Sequence, residues 1–344
     1  KNEQENFCRL WGDHNYCIKL ICFQIYRSDL ALQVWLRNLV LEMNRYGGLN
    51  KGRDGGGIVT KQSVGGDFEL KDAYVSPSIL SSPRIFYTNI MKNRNMIANF
   101  IRRDVRIRYR NSLLGYIWTV LQPLLLAGVY YFVFTIIANQ SERLYPIWVL
   151  IGVITWQYFG RALNGSITSI SRNSSMIKLI YFPREIFALT TVGSNLVITT
   201  LSLLVVIPFI FYYELPFGVH NLWLIVGLLI STVLALGVGL LLAPLNAVHG
   251  DIAHLFQFIT KAGFFLSPVM WTLRMIPEGR GGLAEFVFLN PMVVPLEMMR
   301  CGVDGTELII SDAWIAYSLG FALISLICGV IVFMKTESKA VKYV

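Results

Sequence analysis

Asn99 to Ala138 reads NFIRRDVRIRYRNSLLGYIWTVLQPLLLAGVYYFVFTIIA. Its first part carries Arg102, Arg103, Arg106, Arg108 and Arg110, interrupted by Asp104, and from Leu113 to Ala138 no side chain is charged. The uncharged run exceeds the ~20 residues that cross a ~30 Å hydrocarbon core. So abrupt a change from guanidinium to hydrocarbon marks a membrane boundary. The positive-inside rule puts the arginines on the cytoplasmic side.

The rest of the chain agrees. Its 344 residues are 54% hydrophobic and only 15% charged, with a mean hydropathy of +0.53. That composition suits an integral membrane protein and excludes an ordinary soluble domain. A net charge of +9 raises nucleic acid as a partner. The Lys and Arg sit beside apolar runs, however, and anchoring at the inner leaflet explains them without it. Cys8, Cys17, Cys22, Cys301 and Cys328 are too scattered for a disulfide framework.

Residues 1–82 depart from this pattern and read as an amino-terminal extension, flexible or not native. Cys17–Leu41 is interrupted by Lys19, Arg27, Asp29 and Arg37, so it suits an interfacial helix better than a span. The glycine-rich stretch 47–67 reads as a linker. Met43 is a candidate start, which would place everything before it outside the native protein. Cys8, His14, Cys17 and Cys22 match no common zinc spacing.

Residues 83–112 follow a Ser81-Ser82-Pro83 start signal, and Ile97, Phe100, Ile101, Val105 and Ile107 alternate with arginines. This predicts an amphipathic helix on the inner membrane face, its arginines among lipid phosphates. A solvated basic tail is the alternative, and the interleaved apolar residues argue against it.

A six-helix transmembrane domain follows over 113–335, then a cytoplasmic tail, 336–344. After the first run, spans are expected at Tyr145–Leu163, Ile186–Tyr213, Leu222–Leu245, Leu255–Trp271 and Trp314–Met334. Trp148 and Trp156 read as interfacial belt residues. Gly227, Gly237 and Gly239 read as points of close helix contact. Residues 272–312 hold two short apolar runs broken at Asn290-Pro291, which predicts a re-entrant outer hairpin.

Between the second and third spans lies SITSISRNSSMIKLIYFPREIF, residues 166–187. Ser171 or Asn173 is placed to cap a short helix whose apolar side is Met176, Ile177, Leu179 and Ile180. Pro183 stops it, and Glu185 meets the positive end of the next helix. Two turns are too few to cross a membrane, and their regularity suggests a docking element.

Charge tests the topology. Eight Lys/Arg lie from Arg84 to Arg110, and Arg161, Arg172, Lys178, Arg184, Lys261, Lys335, Lys339 and Lys342 also fall on inner segments. Only Arg143, Arg274, Arg280 and Arg300 fall on outer ones. Six spans with both termini in the cytoplasm fit that asymmetry.

Catalytic and nucleotide chemistry is missing. Gly47–Asp54 has Arg where a phosphate loop needs Lys, and Asp where it needs Ser or Thr. His249 and His254 are misspaced for one helix face, and Ser166 sits in no nucleophile elbow. Lys261 is the one Asp, Glu or Lys within a span, so an ion-coupled relay has no parts. The energy source is then expected on another polypeptide.

At this point the residues resemble a family: the membrane-spanning permease subunits of ABC exporters for lipid-linked polysaccharides, of O-antigen, capsule and teichoic acid type. RRDVRIRYRNSLLGYIWTVLQPLL is similar to its entry helix and first span, and MIKLIYFPREIFALTTVGSNL to its coupling region. LNAVHGDIAHLFQFITKAGFFLSPVMW is similar to the family's fourth-to-fifth-span region, and FLNPMVVPLEMMR to its outer gate hairpin. The likeness covers about residues 95–335 and leaves out the extension.

The resemblance implies roles. Arg172, Asn173, Ser174, Met176, Ile177, Lys178 and Leu179 would form the coupling helix seated in an ATPase subunit, with Pro183, Arg184 and Glu185 fixing its exit. Arg102, Arg103, Arg106, Arg108 and Arg110 would meet lipid head groups or the substrate pyrophosphate. Trp271, Asn290, Pro291, Glu297 and Arg300 would belong to the outer gate. Two copies of the chain would face each other above two ATPase subunits. Those subunits would hold ATP and magnesium, and this chain would bind no cofactor or metal. Tyr116, Trp118, Tyr130, Tyr131 and Phe134 are candidates to line the channel, since aromatic rings cover the flat C–H faces of a glycan. Aromatics packed in spans and belts are the plain alternative. A small-molecule exporter of the same architecture and a membrane enzyme acting on polyprenyl lipids are the other classes. The FLNP hairpin argues against the first, and the lack of paired acidic residues at a membrane face against the second.

Overall fold

The computed structural model describes residues 81–110, 112–133, 135, 142–179, 183–275 and 286–340. The amino-terminal extension up to residue 80, with its linker and Cys/His group, lies outside the described residues, as do Phe134, Ile180, Phe182 and Arg280. Among the described residues every regular element is a helix, as the long apolar runs require: a backbone in lipid must satisfy its own hydrogen bonds.

The helices are α1 (Ser82–Lys92), α2 (Arg94–Arg108), α3 (Ile117–Phe132), α4 (Tyr145–Ile167), α5 (Ser169–Arg172) and α6 (Ser174–Leu179). They continue as α7 (Glu185–Leu203), α8 (Val206–Tyr212), α9 (Leu222–Val248), α10 (Asp251–Leu266), α11 (Val293–Asp304) and α12 (Asp312–Ala340). Three stretches are long and apolar enough to cross a membrane by length and composition: Glu185–Tyr212, Val219–Val248 and Asp312–Glu337. Ile117–Phe132 is a shorter apolar helix.

Two helices form the centre. α4 is buried along most of its length, and α9 packs on α4, α7, α11 and α12 at once. The α9 glycines make that crowding feasible, each toward a different neighbour. A Cβ on Gly227 would lie 2.7 Å from Met299 Cγ and Pro295 O of α11, and one on Gly237 2.7 Å from Ser325 Oγ of α12. One on Gly239 would run into Ser166 of α4. The small-residue expectation therefore holds for all three.

Several boundaries move, for local reasons. The single amphipathic helix divides at Asn93, whose Nδ2 donates to Asn89 O at 2.8 Å and competes with the helical ladder. The apolar side of α2 does not face lipid alone: Phe100 stacks on Phe187 at 6.4 Å, and Met96 and Ile97 join that cluster. The third span is interrupted between α7 and α8, because Pro208 removes a donor and its ring opposes the Leu204 carbonyl. The fifth run ends at Leu266 and not at Trp271, since Pro268 forces Ser267 into extended backbone (φ −84°, ψ 153°). Within α3, Pro123 leaves the Thr119 carbonyl without its helical donor, and Ser202 Oγ of α7 supplies one at 2.9 Å.

Trp148 and Trp156 are not belt residues. They are 5% and 7% exposed. Trp148 Nε1 donates to Asp304 Oδ2 at 2.8 Å and Trp156 Nε1 to Thr260 O at 3.0 Å. A buried indole needs a partner for its N–H, and tertiary packing supplies one that the flanking sequence does not reveal.

Candidate functional site

α6 is held against the rest of the chain through its apolar side chains. Met176 and Ile177, expected on a docking face, pack against the Phe100, Ile186 and Phe187 cluster. They hold the helix inward. The outward surface of α5's end and of α6 is polar: Arg172, Ser175 and Lys178 are exposed, and Asn173 and Ser174 half-buried. Asn173 Nδ2 turns back to donate to Ser169 O at 2.7 Å, tying off the end of α5. Ser175 is part of the outward face and was not among the residues picked from sequence.

The exit from this segment is pinned on two sides. Arg184 is buried ahead of α7, with Nη1 4.0 Å from Glu337 Oε1 of α12. Glu185 opens α7, and its Oε1 accepts from Asn89 Nδ2 of α1 at 2.8 Å. The start of α7 is therefore tied to both α1 and α12.

The five arginines of the basic stretch separate into two kinds. Arg102, Arg106 and Arg110 are exposed. Arg103 is held by its own chain, paired with Asp104 at 2.8 Å and lying over the Phe100 ring at 4.7 Å. Arg108, exposed as well, reaches across to α7 and donates to Asn195 Oδ1 at 3.2 Å.

α3 packs through one stripe, with Thr119, Pro123 and Ala127 buried. Tyr116, Trp118 and Tyr131 lie off it, 50%, 43% and 42% exposed. Tyr130 is half-buried and meets Phe264 of α10 at 5.5 Å. Phe134 lies outside the described residues. Three of the aromatic candidates therefore stand on uncovered surface, and one is packed.

At the opposite end of α4 the hairpin residues come together. Arg300 Nε donates to Trp148 O at 3.2 Å, Nη2 to Val269 O at 2.9 Å, and Nη1 to Trp271 O and Glu297 Oε2, both at 3.3 Å. The two side chains are 2% and 3% exposed. Asn290 Nδ2 donates to Ser267 Oγ at 2.6 Å, and the Pro291 carbonyl accepts from Ser318 Oγ at 2.7 Å. Asp304 completes the cluster: its Oδ2 accepts from Trp148, and its Oδ1 from Thr306 N at 2.9 Å and Thr306 Oγ1 at 2.6 Å. Gly305, at φ +71°, ends α11 in the left-handed conformation. The segment fixes α11 between α4 and the stretch after α10.

Sequence reasoning missed Asp304 and Arg161. Arg161 is a cation six residues from the end of α4, inside the second apolar run; a charge so placed was the available signal. His249, His254 and Lys261 are all exposed.

A family model described as ABC-2 type transporter matches residues 96–302. The chain is 27% identical over 245 residues to an O-antigen export system permease protein RfbA of Klebsiella pneumoniae, covering 71% of this chain and 92% of that one. It is 22% identical over 247 residues to a polysialic acid transport protein KpsM of Escherichia coli, covering 68% and 91%. A capsule polysaccharide export inner-membrane protein CtrC of Neisseria meningitidis is 23% identical over 229 residues, covering 64% and 83%.

Proposed function

Because this chain belongs to the ABC-2 type transporter family, we propose that it is the permease of an ATP-driven exporter of polyprenyl-diphosphate-linked polysaccharide. O-antigen is the first reading of the cargo, since RfbA-type relatives match over most of their length. Capsule polysaccharide is the second, favoured by the KpsM and CtrC relatives. The permease crosses the cytoplasmic membrane six times with both termini inside, which the distribution of Lys and Arg supports. It works as a pair of copies with two ATPase subunits, and ATP and magnesium belong to those subunits.

The observation that carries the coupling part of this reading is α6. It is a six-residue helix that follows the four-residue α5 between the long α4 and α7, and the outward face of the pair is Arg172, Ser175 and Lys178. Such a face fits a polar cleft in a soluble subunit, and the Arg184 and Glu185 contacts relay its displacement to α1, α7 and α12. The exposed Tyr116, Trp118 and Tyr131 support an aromatic lining where two copies meet. The test is purification from detergent-solubilised membranes with the neighbouring ATPase co-expressed. A one-to-one complex that the double substitution Arg172→Glu and Lys178→Glu disrupts is the expected result. An ATPase that never copurifies with the wild-type chain overturns the reading.

A further inference from the structure

Asn246 is a carboxamide in the last turn of α9, 4% exposed, at the end of the apolar run 234–245. Its Oδ1 accepts from the backbone N–H of Ala253 at 2.9 Å, in the first turn of α10. A peptide N–H can only donate, so that bond fixes the orientation of the carboxamide and sends Nδ2 the other way. Nδ2 donates to Ser171 Oγ of α5, a longer and weaker contact of 3.4 Å. Ile170, the residue before, is fully buried in one cluster with Leu240, Ala243 and Ala247 of α9. One side chain thus joins three helices, and the polar contact between α5 and α9 has an apolar one beside it.

The join lies at a weakly held piece of backbone. The first N–H groups of a helix have no intrahelical partner, and a side chain at the N-cap commonly meets one of them. In α10 that position is Gly250, which has no side chain, and Asn246 supplies the acceptor from the preceding helix. α10 has few other fixings, since Ala253, Thr260 and Phe264 are its buried residues. On the α9 side, Pro244 offers the Leu240 carbonyl no donor, so the turn that carries Asn246 is joined to the rest of α9 by one bond fewer.

We propose that Asn246 is a positioning residue for transport, which passes a displacement of the α5–α6 segment to the start of α10 through Ser171 and the Ala253 amide. The inference rests on the exporter reading above, in which α6 docks on an ATPase subunit. It adds a route to the one through Arg184 and Glu185, which leaves the segment at its other end toward α1 and α12. The short bond to Ala253 keeps the start of α10 with Asn246, and the longer one to Ser171 is the contact that changes with nucleotide. The loosely joined last turn follows α5 while the body of α9 stays in the core.

Backbone hydrogen exchange over residues 251–256 is followed by mass spectrometry on the full-length chain in detergent, alone and in complex with the co-expressed ATPase. In the chain alone, Asn246→Ala is expected to speed exchange there about fivefold and Ser171→Ala about twofold, with residues 293–304 of α11 unchanged. The two substitutions together are expected to do no more than Asn246→Ala, since Ser171 acts through Asn246. In the complex, ATP with vanadate is expected to change the wild-type rate at least twofold and the Ser171→Ala rate not at all, with copurification intact. Gly250→Asp, at a position where an added Cβ meets nothing within 4 Å, gives α10 an acceptor of its own. Added to Asn246→Ala, it is expected to restore slow exchange and not the response to nucleotide, which separates a joint from a cap. If Asn246→Ala does not fold, Ser171→Ala, at a half-buried position, carries the comparison. A Ser171→Ala complex that keeps the wild-type response, or a response restored by Gly250→Asp, overturns the proposal and leaves the exporter reading standing. An ATPase that never copurifies with the wild-type chain overturns both.

Discussion

At the hairpin end, every residue of α11 is buried, and Arg300 places its donors on carbonyls of three separate residues and on Glu297. At the basic end, α6 is held by Met176 and Ile177 while Arg172, Ser175 and Lys178 face outward. The first arrangement resists displacement, because a buried polar network that loses one bond exposes several groups to an unsatisfied state. The second tolerates displacement, because half-buried apolar contacts slide. On the proposed reading the yielding part lies where an ATPase subunit would dock. Opening the hairpin end requires α11 to move together with the α4 residues it is bonded to.

The contrast is broken most severely at Arg300. Arg300→Met strands Glu297 in the interior and is expected to destabilise the chain by about 3–5 kcal/mol, seen as a lower thermal midpoint in detergent. Glu297→Gln keeps an acceptor for Arg300 and is expected to do less. Gly152→Val comes next. A Cβ there would lie 2.7 Å from Val269 O and 2.9 Å from Arg300 Nη2, and overpacking of that kind costs about 1–3 kcal/mol. Trp148→Phe removes the donor to Asp304 and should lower stability by about 1–2 kcal/mol in the same assay.

The basic end is expected to respond differently. Met176→Ala should cost about 1 kcal/mol, less than the 2–5 of a fully buried site. Arg172→Glu with Lys178→Glu should shift stability by no more than about 0.5 kcal/mol, as exposed substitutions do. Its effect should be on function: loss of ATPase copurification and of export with the fold intact. If that double variant unfolds the protein, or if Arg300→Met leaves the thermal midpoint unchanged, the distinction between a fixed end and a yielding end is lost.

The membrane character, the helical class and the family were legible in the chain. A long uncharged run has one physical destination, and the basic, coupling and FLNP stretches fall within or overlap residues 96–302, where the family match lies. The three glycines of α9 were legible for a related reason, since only close approach makes Gly useful in so apolar a helix. The direction of Met176 and Ile177 was not. An apolar stripe on a two-turn helix states that something covers it, and not whether the cover is a partner or the helix's own chain.

What the sequence by itself determined are properties that depend on neighbours along the chain: where hydrocarbon replaces charge, where proline interrupts a helix, which segment is too short to span. Only the tertiary structure decided that Trp148 is bonded to Asp304 and not set in an interfacial belt. It alone set Arg300 among the carbonyls of Trp148, Val269 and Trp271. The reason is range. Hydropathy and backbone propensity act within a few residues, whereas the fate of a buried charge or N–H depends on groups that folding brings from far along the chain.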